Sequence, residues 1–168
     1  MLILWWQANI VVESHRARLT DYGLHPIYSD PDIDRLHRQN VDHMHRWQAP
    51  EFMDRPEDLD IVKTESLKQA DVFSFGMVAL EIFTGEVPFN GSWAETALWQ
   101  IARGKRPKIS DIAEQRGLRG GRKTLIKECW RKNPEERPKM EDVVKQLREP
   151  DGEAKPKAFC GMLTCLVS

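Results

Sequence analysis

The run Ala70–Thr84 constrains the fold of this chain more than any other segment. Phe73, Phe75, Met77, Val78, Leu80, Ile82 and Phe83 fall on every face of a helix wound through it. A helix that is apolar all round has no side to offer to water, so it belongs in the middle of a domain. Asp71 and Glu81 interrupt the run, and it is too short to cross a bilayer. Ser66-Leu67-Lys68-Gln69 reads as a capping box that opens the helix, and Gly85 reads as its stop. The other segments must wrap this rod, and 168 residues suffice for one domain with a sizeable core.

The wrapping is mostly helical. Gly91-Ser92-Trp93-Ala94-Glu95 reads as a second capping box, opening a helix that carries Ala97, Leu98 and Ile101 and ends near Gly104. A third helix, around 122 to 131, puts Leu125, Ile126, Cys129 and Trp130 on one face. A fourth, from Pro138 to Arg148, spaces Met140, Val143, Val144 and Leu147 at i, i+3, i+4 and i+7, with Pro138 in its first turn. Upstream, residues 8 to 24 read as short strands and turns: Ile10-Val11-Val12, a polar turn, then Ala17-Arg18-Leu19-Thr20. Residues 25 to 46 read as a long loop. The expected architecture is α+β and mainly α, a helical body around one buried helix with a small β-hairpin region at the start. It occupies residues 1–149, and residues 150–168 read as a disordered tail.

Charge excludes some classes. Net charge is −1 with charged residues mixed along the chain, so no global basic field points to nucleic acid or an anionic membrane. Three cysteines without a CxxC pair point to a reduced, intracellular setting, read as cytoplasmic.

Four segments, in order, resemble the signature of the eukaryotic protein kinases. Asp21-Tyr22-Gly23 stands where that family has its DFG magnesium motif, and Ala49-Pro50-Glu51 stands at the APE, closing an activation segment of 31 residues. Asp71-Val72-Phe73-Ser74-Phe75-Gly76 matches the start of the family's buried central helix, and Asn133-Pro134-Glu135-Glu136-Arg137-Pro138 the segment before its last helix. Arg46-Trp47 and Cys129-Trp130 resemble the tyrosine-kinase-like group. The resemblance covers residues 8 to 148 and implies the C-terminal lobe of a kinase domain, without the N-terminal lobe.

It also implies roles. Asp21 and Asn9 would hold the Mg²⁺ ions that bridge the phosphates of ATP. Glu51 and Arg137 would form an ion pair pinning the activation segment, whose other marked residues are Tyr22, Gly23, Tyr28, Ser29, Ala49 and Pro50. Asp71 would anchor the catalytic loop's backbone. Tyr28 or Ser29 would receive any activating phosphate, paired with Arg35, Arg38 or Arg46. The implied activity is ATP-dependent phosphorylation of protein Ser/Thr or Tyr, with ATP and Mg²⁺ as cofactors and a protein substrate or partner protein as partner.

The pattern breaks at the catalytic loop. Counting back from Asn9, the family's catalytic aspartate falls on Leu4, which accepts no proton, and the 168 residues contain no G-x-G-x-x-G loop. The chain is therefore expected to be a truncated kinase, inactive alone. The other reading, from a different class, is a non-catalytic pseudokinase that serves as an interaction or regulatory module.

Smaller signals add three expectations. His37, His43 and His45 lack the spacing of a zinc site. Trp47, Trp93, Trp99 and Trp130 read as packing or peptide-groove residues. Cys165-Leu166-Val167-Ser168 fits C-a-a-X, so Cys165 is a candidate for prenylation, with Cys160 as a second lipid site and membrane association following from it.

Overall fold

A computed structural model describes residues 10–13, 16–20, 44–52 and 64–148. Two strands, β1 (Ile10–Glu13) and β2 (Arg16–Leu19), form an antiparallel hairpin in the register Ile10 to Leu19 and Glu13 to Arg16. Among the described residues five α-helices follow: α1 (Thr64–Thr84), α2 (Ala94–Ala102), α3 (Asp111–Gln115), α4 (Gly120–Cys129) and α5 (Met140–Arg148). The described 3₁₀ turns lie at Met44–Arg46, Pro50–Phe52 and Pro134–Glu136. The fold is mainly helical with a small hairpin at its start, as the pattern predicts.

The central rod is α1. Every residue from Val72 to Leu80 is buried, including Ser74 and Gly76. α3, α4 and the 3₁₀ turn at Pro134–Glu136 pack on it, α5 packs on α4, and α2 carries the two 3₁₀ turns of segment 44–52. Leu118, Leu125, Ile126, Val143 and Leu147 complete one core, against which Ile10 and Ala17 of the hairpin rest half-buried. Gly76 lets α4 approach: a Cβ added there would lie 2.9 Å from the Cβ of Cys129.

The helix ends depart from the sequence reading. α1 begins at Thr64, so Ser66 lies inside it rather than capping it. α2 begins at Ala94 with Trp93 as its N-cap and no side-chain cap bond. Ser92 is engaged elsewhere: its carbonyl accepts from Arg46 and its hydroxyl accepts a 3.4 Å contact from Gln100. α4 runs two residues ahead of the expected span, and α5 starts at Met140 rather than at Pro138, which follows the Pro134–Glu136 turn. α3 was not expected, being a single short helix; Ser110 caps it by accepting from the Ala113 N–H. Gly85 (φ +73°) does end α1, its N–H bonding Glu81 O at 2.7 Å, and Arg116 donates to the nearby Phe83 carbonyl.

Candidate functional site

Two of the predicted site residues, Glu51 and Arg137, meet in a buried pair. All five N–H donors of Arg137 are used. Nη1 and Nη2 hold the two oxygens of Glu51 at 2.6 and 2.8 Å, a bidentate pair. Nη1 also bonds Gln69 O at 2.9 Å, Nη2 bonds Lys132 O at 3.3 Å, and Nε bonds Arg131 O at 2.9 Å. The Arg137 side chain has no exposed surface, while that of Glu51 keeps 21%. One guanidinium therefore ties three parts of the chain: the Pro50–Phe52 turn, the N-terminal half of α1, and the loop between α4 and α5.

Phe73 of α1 lies beneath this knot. The guanidinium carbons of Arg137 and Arg106 each sit 5.0 Å from its ring centroid. Arg106 comes from the α2–α3 loop and is fixed by the carbonyls of Trp130, Ile101 and Lys105. Burial, and then the neighbouring Arg137 charge, push its guanidinium down to about 10.

A second set of contacts holds residues 44–52 against the body. Arg46 donates to the carbonyls of Pro88 (2.9 Å), Phe89 (3.1 Å) and Ser92 (2.6 Å). These bonds brace Phe89, a non-glycine residue at φ +57°. Trp47 is buried; its carbonyl accepts from Ser74 Oγ at 2.8 Å, and its indole N–H donates to Glu81 Oε2 at 2.9 Å. Burial raises the Glu81 carboxyl to about 7, against a smaller lowering by the indole bond. His45 shares a 3.1 Å contact with Gln48, whose amide donates to Phe52 O.

The structure thus brings Glu51 and Arg137 together, buries Ala49, and places Pro50 with Glu51 in a 3₁₀ turn. Asp71 sits half-buried on α1. Leu4, Asn9, Asp21, Tyr22, Gly23, Tyr28, Ser29, Cys160 and Cys165 lie outside the described residues, as do Arg35, Arg38, His37, His43 and the tail. Arg46, expected as a partner for a loop phosphate, is engaged by three backbone carbonyls. Of the four tryptophans, Trp47 and Trp130 are core residues, whereas Trp93 (82% exposed) and Trp99 (65%) face solvent.

Sequence reading missed the Trp47–Glu81 bond and the role of Arg106. Glu81 had looked like a mere interruption of an apolar run. Arg106-Pro107 sits in a basic stretch whose only signal was its charge. Among the described residues there is no group of three or more His, Cys, Asp or Glu able to hold a metal, and no helix long and apolar enough to cross a membrane. As to chemistry, the knot is a clamp. Glu51 and Arg137 are consumed by each other and by backbone, and neither is placed to shuttle a proton.

The family model described as protein tyrosine and serine/threonine kinase matches residues 7–147. A serine/threonine-protein kinase STY17 of Arabidopsis thaliana is 25% identical over 145 residues, covering 84% of this chain and 22% of that protein. Mitogen-activated protein kinase kinase kinase 1 of the same plant is 31% identical over 138 residues, covering 82% of this chain and 20% of that protein. A receptor-type guanylate cyclase, gcy-5 of Caenorhabditis elegans, is 31% identical over 150 residues, covering 83% and 12%. The chain spans about a fifth of the length of the first two.

Proposed function

Because the chain belongs to the protein tyrosine and serine/threonine kinase family, we propose that it forms the substrate-side, C-terminal lobe of an ATP-dependent protein kinase domain of the tyrosine-kinase-like type. The observation that carries this reading is the Glu51–Arg137 clamp, which fastens Ala49-Pro50-Glu51 to the helical body. A kinase adds little covalent chemistry of its own and works by positioning groups. A platform for a protein substrate therefore needs its activation segment held at the downstream end, and this clamp does that.

In a complete site, Asn9 and Asp21 would hold Mg²⁺, which supplies charge neutralisation at the ATP phosphates. Residues 1–168 by themselves transfer no phosphate in this reading, because Leu4 offers no proton acceptor and the sequence contains no G-x-G-x-x-G loop. The test is a radiolabelled transfer assay with purified residues 1–168, Mg-ATP and generic serine, threonine and tyrosine peptides. Incorporation at the no-enzyme level is expected; transfer at an ordinary kinase rate overturns the proposal.

A second reading, a non-catalytic regulatory module, is favoured by one observation: a relative named for guanylate cyclase activity matches 83% of the chain. A thermal-shift titration of the longest natural polypeptide that contains this lobe separates the two. Stabilisation by Mg-ATP supports the kinase, and its absence supports the module. Prenylation of Cys165 belongs to the same proposal and is read from the intact mass of the protein isolated from cells.

A further inference from the structure

Helix α2 turns one face inward and leaves the other to water. Ala97 and Ile101 are buried, whereas Glu95, Thr96 and Trp99 are exposed, as is Arg103 at the C-cap. Trp99 keeps 65% of its surface in solvent, and Trp93, at the N-cap of the same helix, keeps 82%. A nine-residue helix thus leaves wet two copies of a residue type that is enriched in the cores of protein–protein interfaces.

Three of the exposed residues are evenly spaced. Glu95, Trp99 and Arg103 stand at i−4, i and i+4, so they form one stripe along the outer face. The helical path reaches Arg103, whose N–H bonds Trp99 O at 3.2 Å. At 1.5 Å of rise per residue the two charges stand about 12 Å apart, with the indole midway. Neither Glu95 nor Arg103 has an ionic partner among the described residues. The stripe runs negative, aromatic, positive, and is therefore complementary to its own copy run backwards.

We propose that a second copy of this chain docks here, the two α2 helices packing antiparallel about a two-fold axis at Trp99. In that register Trp99 meets the partner's Trp99, and Glu95 of each copy meets the partner's Arg103, so every group is used twice. Parallel packing sets like charges together. A uniformly acidic or basic partner suits one end of the stripe and is repelled by the other. The face of one short helix is small, which places the dimer among weak, transient associations. Nothing in this contact requires phosphoryl transfer, so its failure leaves the kinase reading intact.

The test is sedimentation equilibrium of residues 1–168 over concentrations from about 5 to 200 μM, with a dimer of Kd about 10–100 μM expected. Trp99→Ser should weaken it by about ten-fold or more. Glu95→Arg and Arg103→Glu should each do the same by about ten-fold, because each sets like charges face to face. Mixed one to one, those two single variants should associate with each other, since every charge then meets its opposite. The double variant Glu95→Arg/Arg103→Glu, which exchanges the two charges, should return to within about three-fold of the native affinity. All three positions are exposed, so the fold should hold, and circular dichroism checks it.

A chain that stays monomeric at the highest concentration overturns the proposal. Association that survives Trp99→Ser also overturns it, because the contact then lies elsewhere on the body. So does failure of the two folded single variants to associate when mixed, which would leave Trp99 a sticky surface without register. A monomer in which the emission lost in Trp99→Phe is already shielded from acrylamide overturns it in favour of a segment of the same chain lying over the face.

Discussion

The Glu81 carboxyl is half-buried against the body with one indole N–H for company, and burial outweighs that bond. Its unfolded value is near 4.5 and its folded value about 7, so the folded state holds the proton more tightly. The stabilisation from this group is complete below about pH 4.5 and is lost as pH rises through 7. Glu81→Gln keeps an acceptor for Trp47 and removes the charge. After allowance for the side chain's partial exposure, it should stabilise the fold by about 1 kcal/mol at pH 8 and change little at pH 4.5. Urea titrations at the two pH values read this directly. The sequence shows Glu81 only as a charge in an apolar run. Its partner lies 34 positions away on a different segment, which no local pattern reveals. Glu51 and Arg137 were legible because short motifs carry them, whereas Arg106 had no motif and emerged only from the packing.

At the level of elements, α1 was readable because burial on all sides leaves an unambiguous composition. Helix starts were not, since a Ser three residues before an acid or amide also occurs where the serine is used elsewhere. Ser92 is the case in point: its carbonyl serves Arg46, and Trp93 becomes an N-cap without a capping side chain. Trp93→Ser should therefore stabilise α2, by about 0.5–1 kcal/mol in chemical denaturation, because a hydroxyl at that position can accept from the first-turn N–H groups. The α1–α4 crossing gives the opposite sign. Alanine normally improves a helix by up to about 1 kcal/mol over glycine. At Gly76 the new Cβ would press on Cys129 at 2.9 Å with no side-chain freedom to yield. Gly76→Ala should destabilise the fold by about 1–3 kcal/mol, measured as a lower urea midpoint. Cys129 itself is deeply buried, its thiol pushed up to about 12, and should resist alkylation in the folded protein.

Across the whole molecule, the Arg137 knot joins the hairpin-to-α1 region with the α4–α5 loop. Lysine in its place has three donors on a flexible stem where five in a rigid fork are used. Arg137→Lys and Glu51→Gln should each cost about 3–5 kcal/mol, because either leaves a buried charge or carbonyl without its partner. Limited proteolysis should then cut within residues 44–52 of Glu51→Gln faster than in the native chain. The mainly helical body and its centre were plain from the sequence, but the bare outer face of α2 was not: Trp99 reads as a packing or groove residue until the assembled body leaves it in solvent. The two halves of the knot stand 86 positions apart. On a ribosome adding about 5–20 residues each second, Glu51 waits roughly 4–17 s after its own synthesis before Arg137 exists to receive it. Through that interval the segment it should fasten has no anchor, so a chaperone that shields nascent chains has its clearest opportunity there.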